Sequence, residues 1–300
     1  MVFSFLKFLL CDTVDTHYFQ KYMLIGAHVS AAGGLWNGPK NAGEIGCETF
    51  QFFSRPPQGG NAKPITEEDQ KLFRDTMSQY KIKRAYIHGP YVINLASAEK
   101  RTRDNSVRLL REELERGSLL GVTGMMFHPG SGKDVGKEEA MQHVIDGLDK
   151  ILDGYKGSCQ LLIEISAGAG MVMGSTLEEL AAFRAGAKRG DETGICFDTQ
   201  HAFASGYDFR TPELLNTLVK QIDKTIGLKN LVASHVNDSK VELGSHKDRH
   251  EHIGKGLLGK AAIKLFVQHP KLKHLDLLLE TPIDEERAKE VTLLKKFRDE

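Results

Sequence analysis

The chain has 300 residues, 40% of them hydrophobic and 27% charged, a balance that supports a full buried core and excludes a disordered or fibrous protein. Its 40 basic and 40 acidic residues cancel, so net charge neither indicates nor excludes a nucleic-acid partner, and the placement of the cations has to decide. Cys11, Cys47, Cys159 and Cys196 are scattered without a C-x-x-C pair, which argues against a disulfide frame and for reduced thiols in a cytoplasmic protein.

The opening MVFSFLKFLL is an apolar stretch too short to cross a bilayer, and Lys7 interrupts it. It lacks the basic start and small-residue cleavage site of a signal peptide. Residues 1–22 are therefore read as a peripheral extension, with Met23 an alternative start, and 23–300 as one domain without a membrane partner. Eight short β-like runs follow in order: LIGAHV (24–29), TFQFF (49–53), RAYIH (84–88), GMMFH (124–128), QLLIE (160–164), GICFD (194–198), LVASH (231–235) and DLLLE (276–280). They are apolar on both faces, as strands of a buried parallel sheet are. Amphipathic helical patterns lie between them, for example over 67–80, 103–121, 138–155, 176–188 and 211–226. Eight strands alternating with helices, with no linker or low-complexity tract, predict an α/β fold of one domain, the (β/α)8 TIM barrel.

In such a barrel the site forms at the C-terminal ends of the strands. Six of the runs end there on a metal-capable side chain: His88, His128, Glu164, Asp198, His235 and Glu280. Successive members lie 40, 36, 34, 37 and 45 residues apart, about one strand, one helix and two loops each. For any one of them alone, a hydrogen-bonded structural role is the plainer reading. As a set they are costly to bury without a cation. Imidazole nitrogen and carboxylate oxygen suit zinc, with manganese or iron as substitutes, and the absence of cysteine points to catalysis rather than structure.

Two local pairs enlarge the set. His201 follows Asp198 at i,i+3 spacing, and Asp248 and His250 are two apart, so an extended segment turns both the same way. Nine ligands exceed the needs of one ion and would serve three if a carboxylate bridges. Clustered divalent ions favour phosphoester hydrolysis, because they acidify water and stabilise entering and leaving oxygens. The loops after the strands also carry Arg55, Lys63, Arg101, Arg103, Lys133, Lys240, Lys247, Arg249 and Lys255, a rim suited to a nucleic-acid backbone if these are more than ordinary surface cations. HIGKGLLG (252–259) offers backbone amides to a phosphate, and Tyr91 can stack on a base or sugar or pack beneath a loop. His28 is placed beside the ligands, and His17, His143, His246, His252, His269 and His274 are left out of the metal site.

The segments GAHVSAAGG (26–34), YIHGPY (86–91), FHPGS (127–131), CFDTQHAFASGYD (196–208), HVNDSK (235–240), DRHEHIGKGLLG (248–259) and LLLETP (278–282) resemble the endonuclease IV family, zinc-dependent apurinic/apyrimidinic endonucleases. The resemblance covers about residues 23–285. It implies three zinc ions, one held by His88, His128 and Glu164, a second by Glu164, Asp198, His235 and Glu280, and a third by His201, Asp248 and His250, with manganese able to replace part of the zinc. It further implies hydroxide attack on the phosphodiester 5′ to an abasic site in double-stranded DNA, leaving a 3′-hydroxyl and a 5′-deoxyribose phosphate, with 3′-end cleaning as an accompanying activity. Glu164 and Glu280 are then the expected catalytic carboxylates, and Tyr91, Lys240, Arg249 and Lys255 the expected DNA contacts of a monomer. Three departures stand out: Ile165 where the family usually has Asn, Gln200 where Cys is common, and SRPPQGG (54–60), whose Gln58 receives no role. The alternative is a metal-dependent sugar isomerase or epimerase on the related barrel, which would use only Glu164, Asp198, His235 and Glu280.

Overall fold

A computed structural model describes residues 22–300, so the expected 1–22 extension lies, apart from the exposed Tyr22, outside the described residues. Eight parallel strands close into a barrel: β1 (Ile25–His28), β2 (Thr49–Phe52), β3 (Arg84–His88), β4 (Gly124–Phe127), β5 (Gln160–Glu164), β6 (Gly194–Cys196), β7 (Leu231–His235) and β10 (Asp276–Leu279). All eight predicted runs are strands, trimmed by one or two residues at some ends. A separate antiparallel pair, β8 (Asp238–Ser239) with β9 (His250–Glu251), was not foreseen. It turns residues 240–249 into an excursion over the barrel mouth.

The helices are α1 (Asn37–Glu44), α2 (Glu67–Gln79), α3 (Lys100–Leu120), α4 (Lys137–Leu152), α5 (Leu177–Gly186), α6 (Thr199–Ala204), α7 (Pro212–Thr225), α8 (Gly259–Gln268) and α9 (Glu286–Asp299). Local chemistry sets several ends. Thr66 and Asp69 make a reciprocal capping box at the start of α2, and α3 stops at Gly121, whose φ of 73° favours a residue without Cβ. The five predicted helical patterns correspond to α2, α3, α4, α5 and α7.

Period-two alternation divides each strand between the helix shell and the barrel interior. Ile87, Ile163, Leu277 and Leu279 join the large core under the helices, while Tyr86, Met126, Leu162, Cys196, Ala233 and Leu278 form a smaller cluster inside the barrel. That inner layer seals the floor of the site. His88, Glu164 and His235 stand two residues further along their strands, and Glu280 two beyond Leu278, so the same inward phase delivers them to the mouth.

Candidate metal centre

Glu164 is the hub. Burial pushes its carboxyl up, but His128, His235 and His201 more than offset this and hold it well below the usual carboxylate range. Its Oε2 lies 3.2 Å from His88 Nε2 and 3.5 Å from His128 Nε2, and its Oε1 lies 2.8 Å from His235 Nδ1. The two oxygens thus face two different groups of partners, as a bridging carboxylate requires. Ligand atoms of His88, His128 and Glu164 lie within 4.8 Å of one another, and so do those of Glu164, Asp198, His235 and Glu280.

A third group stands beside these. Asp198, one residue past the end of the β6–Phe197 run, caps α6 by accepting from His201 N at 2.7 Å, which places His201 one helical turn away and back over the site. Asp198, His201 and His250 bring ligand atoms within 4.8 Å of one another. Asp248 Oδ1 reaches His201 Nε2 at 3.4 Å and His250 Nε2 at 3.5 Å. Burial pushes the Asp248 carboxyl up, yet the neighbouring His201 and His250 imidazoles bring it down to about 2. All nine sequence-predicted ligands therefore converge on one place.

The imidazoles are aimed by their far nitrogens. His88 Nδ1 meets the Gly89 carbonyl at 2.7 Å, His201 Nδ1 the Ile165 carbonyl at 3.0 Å, and His250 Nδ1 the Glu280 carbonyl at 3.2 Å. A carbonyl only accepts, so each Nδ1 carries a proton and each Nε2 is turned toward the centre. His235 is reversed: Nε2 donates to Gln51 Oε1 at 2.7 Å, leaving Nδ1 for the centre. Backing of this kind fixes tautomer and ring orientation in metal sites. Burial lowers the His201 and His235 pKa values, but Asp198, Asp248 and Glu164 around the first, and Cys196, Glu164 and Glu280 around the second, raise them well above normal, so these positions attract a proton or a metal cation alike, whereas burial drives His128 down to about 4. His201 Nε2 and His250 Nε2 are buried and make no hydrogen bond, which fits a cation between them and Asp248.

Cys196 also comes close to Glu164 and His235, but burial raises its thiol to about 11, so it remains a neutral member of the inner apolar layer.

Several supporting residues carried no sequence signal. Gln51, fully buried in β2, donates to Glu280 Oε1 at 2.7 Å and also bonds His28 Nδ1 at 2.8 Å. Asn237 donates to Asp198 Oδ2 at 2.7 Å and accepts from Glu280 N at 2.8 Å. His252, left out as unsupported, has clear geometry: it lies 3.0 Å from Asp284 Oδ2 and 3.2 Å from Glu290 Oε1, tying the loop after β9 to α9. In the HVNDSK motif Asn237 braces two candidate ligands, whereas Asp238 accepts from the backbone N–H groups of Gly254, Leu258 and Gly259, so those amides of the 252–259 segment hold a carboxylate and are not left for a phosphate. The departures have physical readings too. Ile165 meets His201 Nδ1 with its backbone carbonyl and buries its side chain in the outer core, and Gln200 bonds the Lys247 carbonyl at 3.0 Å and Arg249 N at 3.3 Å, bracing the segment that carries Asp248.

The centre opens into a cavity of about 450 Å³ whose lining includes Phe53, Tyr91, Pro282 and Ile283. Tyr91 is 71% exposed and meets Phe53 edge-on at 5.3 Å. Among the expected rim cations, Lys240, Arg249 and Lys255 are at the surface, Lys240 3.9 Å from Glu251 and Lys255 3.8 Å from Glu286. Arg55 corrects the expectation: it is buried against Glu113, bonds Glu112 at 3.0 Å, and holds its own loop rather than facing solvent.

Residues 39–297 match the family model described as xylose isomerase-like TIM barrel. The chain is 38% identical over 267 residues to a protein of Trichlorobacter lovleyi named Probable endonuclease 4, covering 88% of this chain and 94% of that one. The chain belongs to the endonuclease IV family. It is similar to the crystal structure of endonuclease IV from Thermus thermophilus, at 31% identity and a TM-score of 0.82, over 92% of this chain and 99% of that one. A D-tagatose 3-epimerase-like protein, 19% identical with a TM-score of 0.68 over 92% of this chain and 97% of its own, shares the fold. Membership in the endonuclease IV family makes this chain an enzyme, and the ligand positions named by the sequence resemblance are those the fold brings together. No helix among the described residues is long and apolar enough to cross a membrane.

Proposed function

We propose that the chain incises double-stranded DNA at abasic sites, hydrolysing the phosphodiester on their 5′ side and leaving a 3′-hydroxyl and a 5′-deoxyribose phosphate. The observation that carries this reading is the convergence of nine ligand side chains rather than four. An isomerase needs only Glu164, Asp198, His235 and Glu280, which would leave the orphaned nitrogens of His201 and His250 without a task.

Three zinc ions, with manganese replacing some of them, fit the three groups of donors: His88, His128 and Glu164; Glu164, Asp198, His235 and Glu280; and His201, Asp248 and His250, with Asp198 close to the last. When bound, such ions supply Lewis acidity, acidifying water and neutralising charge on phosphate oxygens. Glu164 holds two groups of imidazoles at fixed separation. Glu280 keeps one oxygen on Gln51 and turns the other toward His235 at 3.1 Å, at the cavity side where it can orient the attacking water and receive its proton. Tyr91 and Phe53 offer an aromatic wall to a displaced sugar, and Lys240, Arg249 and Lys255 offer cations to the flanking backbone. A cavity of this size admits a single sugar-phosphate unit, so the nucleotide must leave the helical stack. The same centre would trim 3′-terminal phosphates, and we read the enzyme as a cytoplasmic monomer whose open face reaches DNA.

The test is incision of a duplex holding one abasic-site analogue, by metal-loaded protein and after prolonged chelation. Cleavage 5′ to the analogue that is lost on chelation supports the reading. An intact duplex with metal-replete protein, or turnover of a ketose instead, would sink it.

A further inference from the structure

Two nitrogen-bearing side chains of the cavity, His28 and Arg287, have no part in the ligand cluster. His28 ends β1 and bonds Gln51 Nε2 through Nδ1 at 2.8 Å. Glu280 fixes the direction of that bond: an ionised carboxylate only accepts, so the Gln51 amide nitrogen must face Glu280 Oε1 at 2.7 Å, and the same nitrogen faces His28. With Nδ1 accepting, the His28 proton resides on Nε2, which has no hydrogen-bond partner among the described residues. His28 lines the cavity.

Arg287, in the first turn of α9, lines it as well although only 5% exposed. Its Nη1 donates to the His28 carbonyl at 2.6 Å, and its Nε is buried without a partner. A guanidinium that deep is costly without an anion. The nearby carboxylates are committed elsewhere, Glu280 to Gln51 and His235, and Glu290 to His252, Ile253 and Thr281.

We propose that His28 Nε2–H and the Arg287 guanidinium form an anion subsite that receives a second phosphate group, adjacent to the one that lies over the ligand cluster. Both donors suit phosphate oxygens, and Arg287 joins them by holding the backbone of His28. The subsite rests on the reading of this cavity as a receptor for a nucleic-acid backbone. The phosphate can be an internal one in the damaged strand or a terminal ester at a 3′ end.

The experiment measures equilibrium binding by fluorescence anisotropy with metal-loaded protein. Each duplex carries a tetrahydrofuran abasic analogue whose scissile linkage has a methylene group in place of the leaving oxygen. One version has ordinary flanking phosphates, two have a neutral methylphosphonate on one side or the other, and a nicked pair ends in 3′-phosphate or 3′-hydroxyl. Arg287→Met should weaken binding about tenfold, the scale of one charged hydrogen bond, and the loss should fall below about twofold where the contacted phosphate is neutral or missing. His28→Phe should behave alike, and His28→Gln, which keeps a distal N–H, should recover most of the affinity. A coupling seen with the methylphosphonates assigns an internal phosphate; one seen only in the nicked pair assigns a terminal ester. Should Arg287→Met fail to fold, Arg287→Lys and His28→Phe carry the same comparison. Equal losses on every duplex, or none, overturn the subsite. Wild-type protein that binds abasic and undamaged duplex alike overturns the underlying reading instead.

Discussion

The carboxamide of Asn237, just past β7, joins two candidate ligands that follow the strands on either side of it, β6 and β10: Nδ2 donates to Asp198 Oδ2 at 2.7 Å while Oδ1 accepts from the Glu280 backbone at 2.8 Å. Neither contact is available to an aliphatic side chain. Asn237→Ala should lower metal affinity and incision about 10- to 100-fold, the usual scale for losing a partner behind a ligand. Zinc per chain by plasma mass spectrometry, read after graded chelation, checks this; metal retention equal to wild type would refute it.

Asp248 is the most exposed of the nine ligands, with 59% of its side chain open to solvent, so its position depends on the segment around it. Gln200 supplies that support through the Lys247 carbonyl and Arg249 N. In Gln200→Ala the metal at the His201–Asp248–His250 group should be the first lost, with the other sites retained. Stoichiometry falling by about one ion under mild chelation is the expected result.

Removing metal should also change how stability depends on pH. Without a cation, the raised pKa values of His201 and His235 contribute stability that is present below their unfolded value near 6.5 and is lost as pH rises through the folded values. Metal-loaded protein has the opposite trend, since protons compete with ligation. Melting curves of chelated and loaded protein between about pH 6 and 8.5 should therefore converge at the acid end. Parallel curves would contradict the assignment of these imidazoles to the metal.

At the other end of the barrel, Asp276 accepts from the Tyr86 hydroxyl at 2.7 Å and lies 2.9 Å from Arg84 Nε, and burial raises its carboxyl to about 6. A raised acid favours the protonated form in the fold. Its contribution is full below the unfolded pKa near 3.8 and disappears as pH rises through about 6, a change on the order of 3 kcal/mol. Asp276→Asn should flatten that part of the stability profile in urea titrations. An unchanged slope between pH 4 and 6 would exclude Asp276 as its source.

Arg55 and Glu113 form a buried ion pair, with Ser54 donating to Glu113 Oε2 at 2.6 Å. Glu113→Ala removes the buried partner of the guanidinium, leaving it only the partly exposed Glu112, and should cost about 3 kcal/mol. Because this network anchors the loop carrying Gln58, faster hydrogen exchange should appear over residues 54–60 before global unfolding.

The sequence alone determined the strands and the nine candidate ligand positions, because strand ends and short-range spacing are local properties of the chain. Asp198 and His201 were legible together since one helical turn separates them, and Asp248 and His250 since an extended segment turns both one way. The bracing network was not legible. Gln51, Asn237, His252 and Arg287 act across separations such as the 229 residues between Gln51 and Glu280, and an amide or imidazole in sequence does not reveal its partner. Arg55 shows the converse, a cation on a mouth-side loop that the fold turns inward onto Glu113. Only closure of the barrel brings β1, β2 and β10 side by side, and with them the tautomers of His28 and His235 and the direction in which each ligand points.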